Sequence, residues 1–125
     1  MKSTDARGIK IHVPTEGNVL LEKCLGNVNS NKTLYALWKV INVNAIDRLG
    51  MSDHGPVHFQ IVANIALRLA RILTKNGIKM SAAEDFRLTN AHSELVIFLA
   101  SILHDLGMSI SREGHEEFSL ILANN

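Results

Sequence analysis

Histidines beside carboxylates are the residues of this chain whose types and spacing first suggest chemistry. Of six histidines in 125 residues, four lie at the ends of predicted helices: His54, His58, His104 and His115. His104 is followed directly by Asp105 at the end of an apolar segment. A carboxylate at the C-terminal end of a helix faces the negative end of the helix dipole, so a buried, ionised Asp105 needs a cation nearby. A divalent metal ion with His104 as its nitrogen ligand would supply that cation.

A purely structural interpretation of this pair stays open. Asp105 would then form an ion pair with Arg112 or reach water, and His104 would be a cationic cap at the end of the helix. The metal hypothesis therefore depends on whether further ligands lie near the pair.

A second candidate segment is Asp53-His54-Gly55-Pro56-Val57-His58. Pro56 suits the first position of a helix, which places His58 in the first turn, on the predicted apolar stripe and directed towards the interior. Two histidines four residues apart on one helix form a zinc-binding pattern, but Pro56 leaves His54 in the preceding loop. The alternative is that His58 is a core histidine and Asp53 a helix cap.

A third candidate segment runs from Ser111 to Glu117, shortly after the His-Asp pair. His115 is a candidate ligand for a second metal or for a phosphate oxygen. Arg112 is a candidate phosphate clamp, because the guanidinium group matches the geometry of phosphate oxygens. The alternative is a solvated helix start, in which Glu116 and Glu117 lie at the positive end of the helix dipole.

The first two segments together resemble the HD-domain metal-dependent phosphohydrolase superfamily. The resemblance lies in a histidine at the start of one helix, His58-x-x-x-Val62-Ala63, and a buried helix that ends in His104-Asp105-Leu106-Gly107. The fuller strings, which continue through Arg112-Glu113-Gly114-His115-Glu116, are similar to an archaeal branch of the superfamily. The similarity covers roughly residues 42 to 123.

This resemblance implies an all-α, HD-domain-like bundle that binds one or two divalent ions through His, His-Asp and a later Asp. A metal-activated water then attacks a phosphate ester, with a nucleotide as the expected substrate. By position, His58, His104 and Asp105 become metal ligands, and His54 and His115 become candidates for a second metal or for substrate phosphate. Asp105, Arg112 and His115 form the expected catalytic set. Imidazole and carboxylate ligands suit Mn, Fe, Co, Ni or Zn better than Ca, and Mg also belongs to the expected set.

The chain departs from the family pattern after Asp105. None of its last twenty residues is an aspartate, and the acidic residues available there are Glu113, Glu116 and Glu117. Either a glutamate replaces the later ligand, or a second subunit or bound anion completes the site, or this is a C-terminally short domain with a damaged site. A short domain would expose apolar surface, which favours a homo-oligomer.

About five helices in one domain are predicted to carry these residues. The expected bounds are Glu16 to Leu25, Asn31 to Leu49, Pro56 to Lys75, Ala91 to Leu106 and Gly114 to Ala123, with one turn around Ala82 to Phe86. Residues 1–30 are expected to be peripheral, loose over the first ten and extended over 9–13, and residues 31–125 form the core. The apolar stripe of the third helix is Ile61, Val62, Ile65, Ala66, Leu69, Ile72 and Leu73.

Composition limits the remaining classes of function. Hydrophobic residues make up 46% and charged residues 20% of the chain, which excludes a disordered protein. A formal charge of +1 gives no electrostatic support for binding nucleic acid or an anionic membrane. A single cysteine, Cys24, and the lack of a signal-peptide pattern predict a soluble, cytoplasmic protein.

Two functions stay open from the sequence. The first is a phosphohydrolase that acts on a phosphorylated small molecule. The second is a non-catalytic HD-fold module that binds a metal or a nucleotide and serves regulation or oligomerisation. Metal retention together with hydrolysis of a phosphate ester, both lost in Asp105→Ala, would separate the two.

Overall fold

The structure, a computed structural model, describes residues 10–124, and every regular element in that range is helical. The all-α prediction of about five helices is confirmed, because five helices have nine or more residues and a sixth is a single turn. The expectation of a loose start at residues 1–9 lies outside the described residues. The helices are α1 (Val19–Asn29), α2 (Lys32–Asn42), α3 (Pro56–Lys75), α4 (Ser81–Asp85), α5 (Asn90–Leu103) and α6 (His115–Ala123). A π-helical segment, Val43–Arg48, continues α2, and a 3₁₀ turn, Leu106–Ser109, follows α5.

The first helix begins three residues later than predicted. Glu16 and Gly17 both have positive φ angles, 46° and 77°, so neither can open an α-helix. Asn18 caps α1 instead, with its side-chain oxygen accepting from the Leu21 N–H. Leu21 is fully buried, and so is Ile11 in the extended segment before the helix. Within the segment expected to be peripheral, these residues are therefore part of the hydrophobic core.

An ion pair fastens this N-terminal segment to the bundle. The Arg71 guanidinium on α3 lies 2.8 Å from a Glu94 carboxylate oxygen on α5 and donates to the backbone carbonyl of Pro14. The Asn18 side chain donates to the same Glu94 carboxylate. Both partners of the ion pair are largely buried. Three separate parts of the chain are thus joined at one buried pair of charges.

The core lies between α2, α3 and α5. Trp38 on α2 is fully buried, and its indole N–H donates to the carbonyl of Ile102 near the end of α5. The ring of Phe59 on α3 packs against Trp38, with ring centroids 5.6 Å apart. These contacts fix the start of α3 beside the end of α5. The candidate segments that contain His58 and His104-Asp105 lie at these two helix ends.

Helix α3 is buried on a different side from the one that its apolar stripe predicted. The buried residues are Phe59, Ala63, Leu67 and Ala70. Large residues of the predicted stripe face outward instead, and Ile65, for example, is 62% exposed. The buried face combines Phe59 and Leu67 with the smaller Ala63 and Ala70, and α3 packs along α5.

The length and apolar composition of α3 are relevant to the prediction of a soluble protein. Its 20 residues are long and apolar enough to cross a membrane, by length and composition only. In the structure it packs along α5 as one of the helices around the core. A single helix of this kind is weak support for a membrane protein, because core helices of soluble proteins share the property.

Candidate metal centre

Asp105 lies between the end of α5 and the 3₁₀ turn, and its side chain is buried among histidines. The residue is 8% exposed. One carboxylate oxygen, Oδ2, lies 3.2 Å from His104 Nε2, and the other, Oδ1, lies 3.4 Å from His115 Nε2. The carboxylate therefore stands between two imidazole rings that come from opposite sides of the turn.

His58 completes a group of three possible metal ligands with this pair. Side-chain donor atoms of His58, His104 and Asp105 all lie within 4.8 Å of one another. His58 is the third residue of α3, whereas the pair follows α5, so 45 residues of sequence separate the two parts. Two imidazole nitrogens and a carboxylate oxygen at this spacing could hold a divalent ion.

The tautomer of His104 gives a physical reason for a cation at this place. His104 Nδ1 lies 2.8 Å from the carbonyl oxygen of Ser101. A carbonyl only accepts hydrogen bonds, so Nδ1 carries the proton and the neutral ring presents a lone pair at Nε2. That lone pair faces the Asp105 carboxylate oxygen, and two acceptors at 3.2 Å repel each other. Either a proton on Nε2 or a metal ion bound by both atoms relieves this repulsion.

His115 repeats this arrangement on the other side of the carboxylate. Its Nδ1 lies 2.8 Å from the carbonyl oxygen of Arg112, which directs Nε2 towards Asp105 Oδ1. The His115 side chain is 17% exposed, so it is largely enclosed by its neighbours. The structure thus brings His115, whose segment follows shortly after the His-Asp pair in sequence, against Asp105.

His54 lies beside the group of three. Its ring centroid is 5.0 Å from that of His58, and its Nδ1 lies 2.6 Å from the carbonyl oxygen of Ser52. His54 therefore lies in the loop before α3, as Pro56 predicted, and this loop brings it alongside His58. The group whose donor atoms are mutually within 4.8 Å consists of His58, His104 and Asp105.

Arg112 contributes its backbone to the site and directs its side chain elsewhere. The Arg112 carbonyl holds the His115 ring, while its exposed side chain lines a cleft of about 470 Å³ together with Arg48. The lining residues of that cleft do not include the three possible ligands. An ion pair between Arg112 and Asp105, the structural alternative for the carboxylate, is not what the described side chains form: Asp105 faces histidines.

The charges in the site shift three pKa values. The hydrogen bond from His104 holds the pKa of the Asp105 carboxyl below its usual value, and the same contact raises the pKa of His104. Burial lowers the pKa of His58, with the neighbouring His54 acting in the same direction. At neutral pH the shifts of Asp105 and His58 favour an ionised carboxylate and a neutral imidazole, as a metal ion requires, whereas the raised pKa of His104 favours a proton on that ring.

Gly107 is a positioning residue that the sequence analysis left without a role. A Cβ atom at position 107 would overlap the carbonyl oxygen of His115, so only glycine lets the turn after Asp105 approach α6 this closely. The Gly107 N–H donates to Ser119 Oγ at 2.7 Å, and Ser119 Oγ in turn donates to the His115 carbonyl at 2.7 Å. This contact places His115 against Asp105.

Asn42 is a positioning residue for the segment that contains His54 and His58. Its side-chain oxygen accepts from the His54 N–H at 2.8 Å. The Asn42 side chain fills the space in which Gly55 would carry a Cβ, so glycine is required there as well. The glycines at 55 and 107 were visible in both motifs, but the partners Asn42 and Ser119 had no sequence signal that tied them to the site.

Packed aromatic rings limit the movement of two of the possible ligands. The Phe59 ring lies 5.8 Å from the His104 ring, edge to face, and 5.6 Å from the His58 ring. Phe59 is fully buried and rests on Trp38. Because these rings are packed, the two imidazoles have little freedom to move apart.

The acidic residues after Asp105 are exposed, unlike Asp105 itself. Glu113, Glu116 and Glu117 all lie at the surface. Glu116 comes nearest to the site, with a carboxylate oxygen 3.5 Å from His115 Nδ1, but its side chain is 76% exposed. Replacement of the later family ligand by a glutamate therefore stays a prediction.

Comparison with known proteins adds a relative whose function is not known. Over 93 residues, or 74% of this chain, the sequence is 39% identical to an uncharacterized protein of Methanocaldococcus jannaschii. The match covers 36% of that protein, so the chain spans about a third of the length of the relative. No protein-family model matches the chain. No solved structure matches it significantly.

Proposed function

We propose that this protein is a metal-dependent phosphohydrolase of the HD-domain type, which hydrolyses a phosphate ester. The observation that carries this proposal is the convergence of donor atoms from His58, His104 and Asp105 within 4.8 Å. The first lies 46 residues before the second in sequence, so local chain geometry does not explain the convergence. The donor set also matches the ligands that divalent transition metals prefer.

The metal ligands would be His58, His104 and Asp105. When bound, a divalent ion supplies Lewis acidity, which makes water a nucleophile near neutral pH and polarises a phosphoryl oxygen. The buried Asp105 carboxylate supplies the negative charge that attracts a cation to this place. The Ser101 carbonyl fixes the His104 ring so that its Nε2 points at the shared position.

His115 would act on the substrate. It stands across the carboxylate from His104, and its enclosed ring can donate from a protonated Nε2 to a phosphoryl or leaving-group oxygen. Arg112 directs its side chain to the neighbouring cleft, so we assign it a contact with a distal part of the substrate rather than with the reacting phosphate.

We further propose a cytoplasmic location, because a single cysteine suits a reducing compartment.

The test combines metal analysis with hydrolysis. The protein is purified without added metal or chelator, its transition metals are quantified, and phosphomonoesters, phosphodiesters and nucleotides are assayed with Mn, Fe, Co, Ni, Zn and Mg. We expect Asp105→Ala and His58→Ala to lose both bound metal and hydrolysis, whereas the exposed His12→Ala keeps both. Less than about a tenth of an equivalent of metal, with no gain on reconstitution, would overturn the proposal.

A second candidate is a non-catalytic module that binds a metal or nucleotide and assembles with a second copy. The exposed apolar residues of α3 favour it, because a face of this kind suits an interface. Stoichiometric metal without hydrolysis of any ester tested, in a protein that self-associates, would select this candidate over the enzyme.

A further inference from the structure

Helices α5 and α6 leave an open groove between them that ends at the candidate metal centre. We call it the α5–α6 groove, and its volume is about 590 Å³. That size lies within the range of about 300–1,000 Å³ that is typical of small-molecule sites. Its apolar lining consists of Val96, Leu99, Ala100, Leu103, Leu120 and Ala123.

The polar lining of the groove lies on the side of the site. His104 lines the groove and is also one of the three possible metal ligands. Its side chain is 45% exposed, so part of the ring faces the groove while Nε2 faces Asp105. Ser119 also lines the groove, but its hydroxyl already forms hydrogen bonds with the Gly107 N–H and the His115 carbonyl. A molecule whose phosphate reaches the metal ligands can therefore extend its organic part along the groove.

We propose that the α5–α6 groove binds an apolar aromatic group of the phosphate ester, which makes aromatic phosphate esters the substrate class. This inference rests on the proposed function. Burial against leucine and valine side chains favours a flat apolar ring. The hydroxyl groups of a sugar would find few partners there and would lose their hydration.

The candidate metal centre sets the orientation of the ligand in the groove. Glu116 lines the same end of the groove as His104, because its carboxylate lies 3.5 Å from His115, which faces Asp105. The exposed Glu116 carboxylate repels a phosphate group there, so the imidazoles attract the phosphate only when they hold a cation or are protonated. With a cation bound, the phosphate end lies at His104, and the ring lies between the leucines of α5 and α6.

Kinetics on two esters test the proposal. Ala100→Phe places a ring in the groove from an exposed position, and Ala36→Phe makes the same change on the exposed surface of α2. With phenyl phosphate we expect Ala100→Phe to raise KM about tenfold. With glycerol 1-phosphate we expect kcat/KM to stay within about twofold. Ala36→Phe should change neither, and an equal loss on both esters in Ala100→Phe would overturn the proposal.

A binding measurement keeps this inference separate from the proposed function. Phenylphosphonate and methylphosphonate, which phosphatases do not hydrolyse, are titrated into the wild-type protein with methyl groups observed by NMR. We expect phenylphosphonate to shift the methyl signals of Leu99, Leu103 and Leu120, and methylphosphonate to leave them unchanged. This result would stand even if no ester were hydrolysed, in which case the proposed function alone would fail.

Two results would assign the groove to another occupant. Phenylphosphonate shifts that lie away from the groove leucines would show that the ring binds elsewhere. A wild-type dimer that Ala100→Phe and Ala123→Phe convert to a monomer would show that a second copy fills the groove. Either result overturns the proposal.

Discussion

At the scale of single residues, the shared carboxylate of Asp105 determines how the site is charged. Each of its oxygens faces an imidazole Nε2, at 3.2 Å and 3.4 Å. Its contact with His104 raises the pKa of that ring and lowers the pKa of the carboxyl. A proton on His104 therefore competes with a metal ion for this position, and the competition can be measured.

Replacing the Asp105 carboxylate by an amide should remove its effect on the pKa values of the neighbouring imidazoles. In Asp105→Asn we expect the pKa of His104 to fall towards its ordinary value, because the carboxylate hydrogen bond is the largest cause of its increase. The pKa of His58, already lowered by burial, should fall further, because the negative charge of Asp105 opposes that shift. NMR titration of the imidazole protons in metal-free protein measures both. Glu117→Gln, which removes an exposed carboxylate, is the control, and an unchanged His104 pKa in Asp105→Asn would contradict the contact.

Metal affinity should also decrease as the pH falls, because protons compete with the metal for the imidazoles. A proton must leave each imidazole before it can bind a metal, and the pKa of His104 is raised while that of His58 is lowered. Affinity should therefore fall about tenfold per pH unit below the pKa of His104, and more steeply once the pH also falls below that of His58. Calorimetric titration with Zn²⁺ from pH 8 down to about pH 5.5 measures this. An affinity that does not change over this range would show that neither imidazole is a ligand.

At the scale of elements, two glycines and their partners decide whether the histidine segments meet. The turn Leu106–Ser109 approaches α6 so closely that a side chain at position 107 has no room. The same turn is held from the other side, where the Asn44 side chain donates to the carbonyl of Met108 at 2.9 Å. The turn that follows Asp105 is thus held by hydrogen bonds between its backbone and the side chains of Ser119 and Asn44, which are not among the possible metal ligands.

Gly107→Ala tests this close approach. The added Cβ meets backbone atoms of His115 and Ser119, which cannot move without shifting α6, so we expect a loss of about 1–3 kcal/mol in the free energy of unfolding. Urea unfolding followed by circular dichroism measures it. Gly26→Ala is a matched control within α1, where nothing lies near the added atom, and it should stabilise by about 0.5–1 kcal/mol. Equal effects at the two positions would contradict the close packing of the turn.

Strong local signals made part of this arrangement predictable. Pro56 at the start and Asn76-Gly77 at the end define α3, and the observed bounds, Pro56–Lys75, agree with the prediction. The resemblance carried by two short motifs implied that the possible ligands converge. The end of α5 differed, because the predicted helix to Leu106 stops at Leu103 and Asp105 leads into a 3₁₀ turn.

Tertiary packing determined what local signals could not. The periodic stripe of α3 selected its largest apolar residues, but close contact with α5 uses Ala63 and Ala70. Hydrophobic periodicity identifies an apolar side and does not reveal which neighbour approaches it, or how closely. The roles of Asn42 and Ser119 are also long-range contacts, so a single sequence gave no means to predict them.

At the scale of the whole molecule, the outward side of α3 is a ridge of apolar residues four positions apart. We call it the α3 ridge, and it consists of Val57, Ile61, Ile65, Leu69 and Leu73, each between 44% and 62% exposed. At 1.5 Å per residue it is about 24 Å long. A ridge at this spacing fits into the groove beside the same ridge of another helix at an angle of about 50°. The ridge is thus complementary to itself, as a two-fold interface requires.

We expect the wild-type chain to self-associate through this ridge, because a contiguous strip of exposed large apolar side chains marks an interaction site. Ile65→Lys places a charge at the centre of the ridge and should shift the protein to a monomer, measured by analytical ultracentrifugation between about 10 and 200 µM. Val19→Lys changes a residue that is 72% exposed on α1 and should leave association unchanged. A wild-type chain that stays monomeric at the highest concentration would show that two copies do not bury this ridge, and the oligomerisation module would lose the observation that favours it.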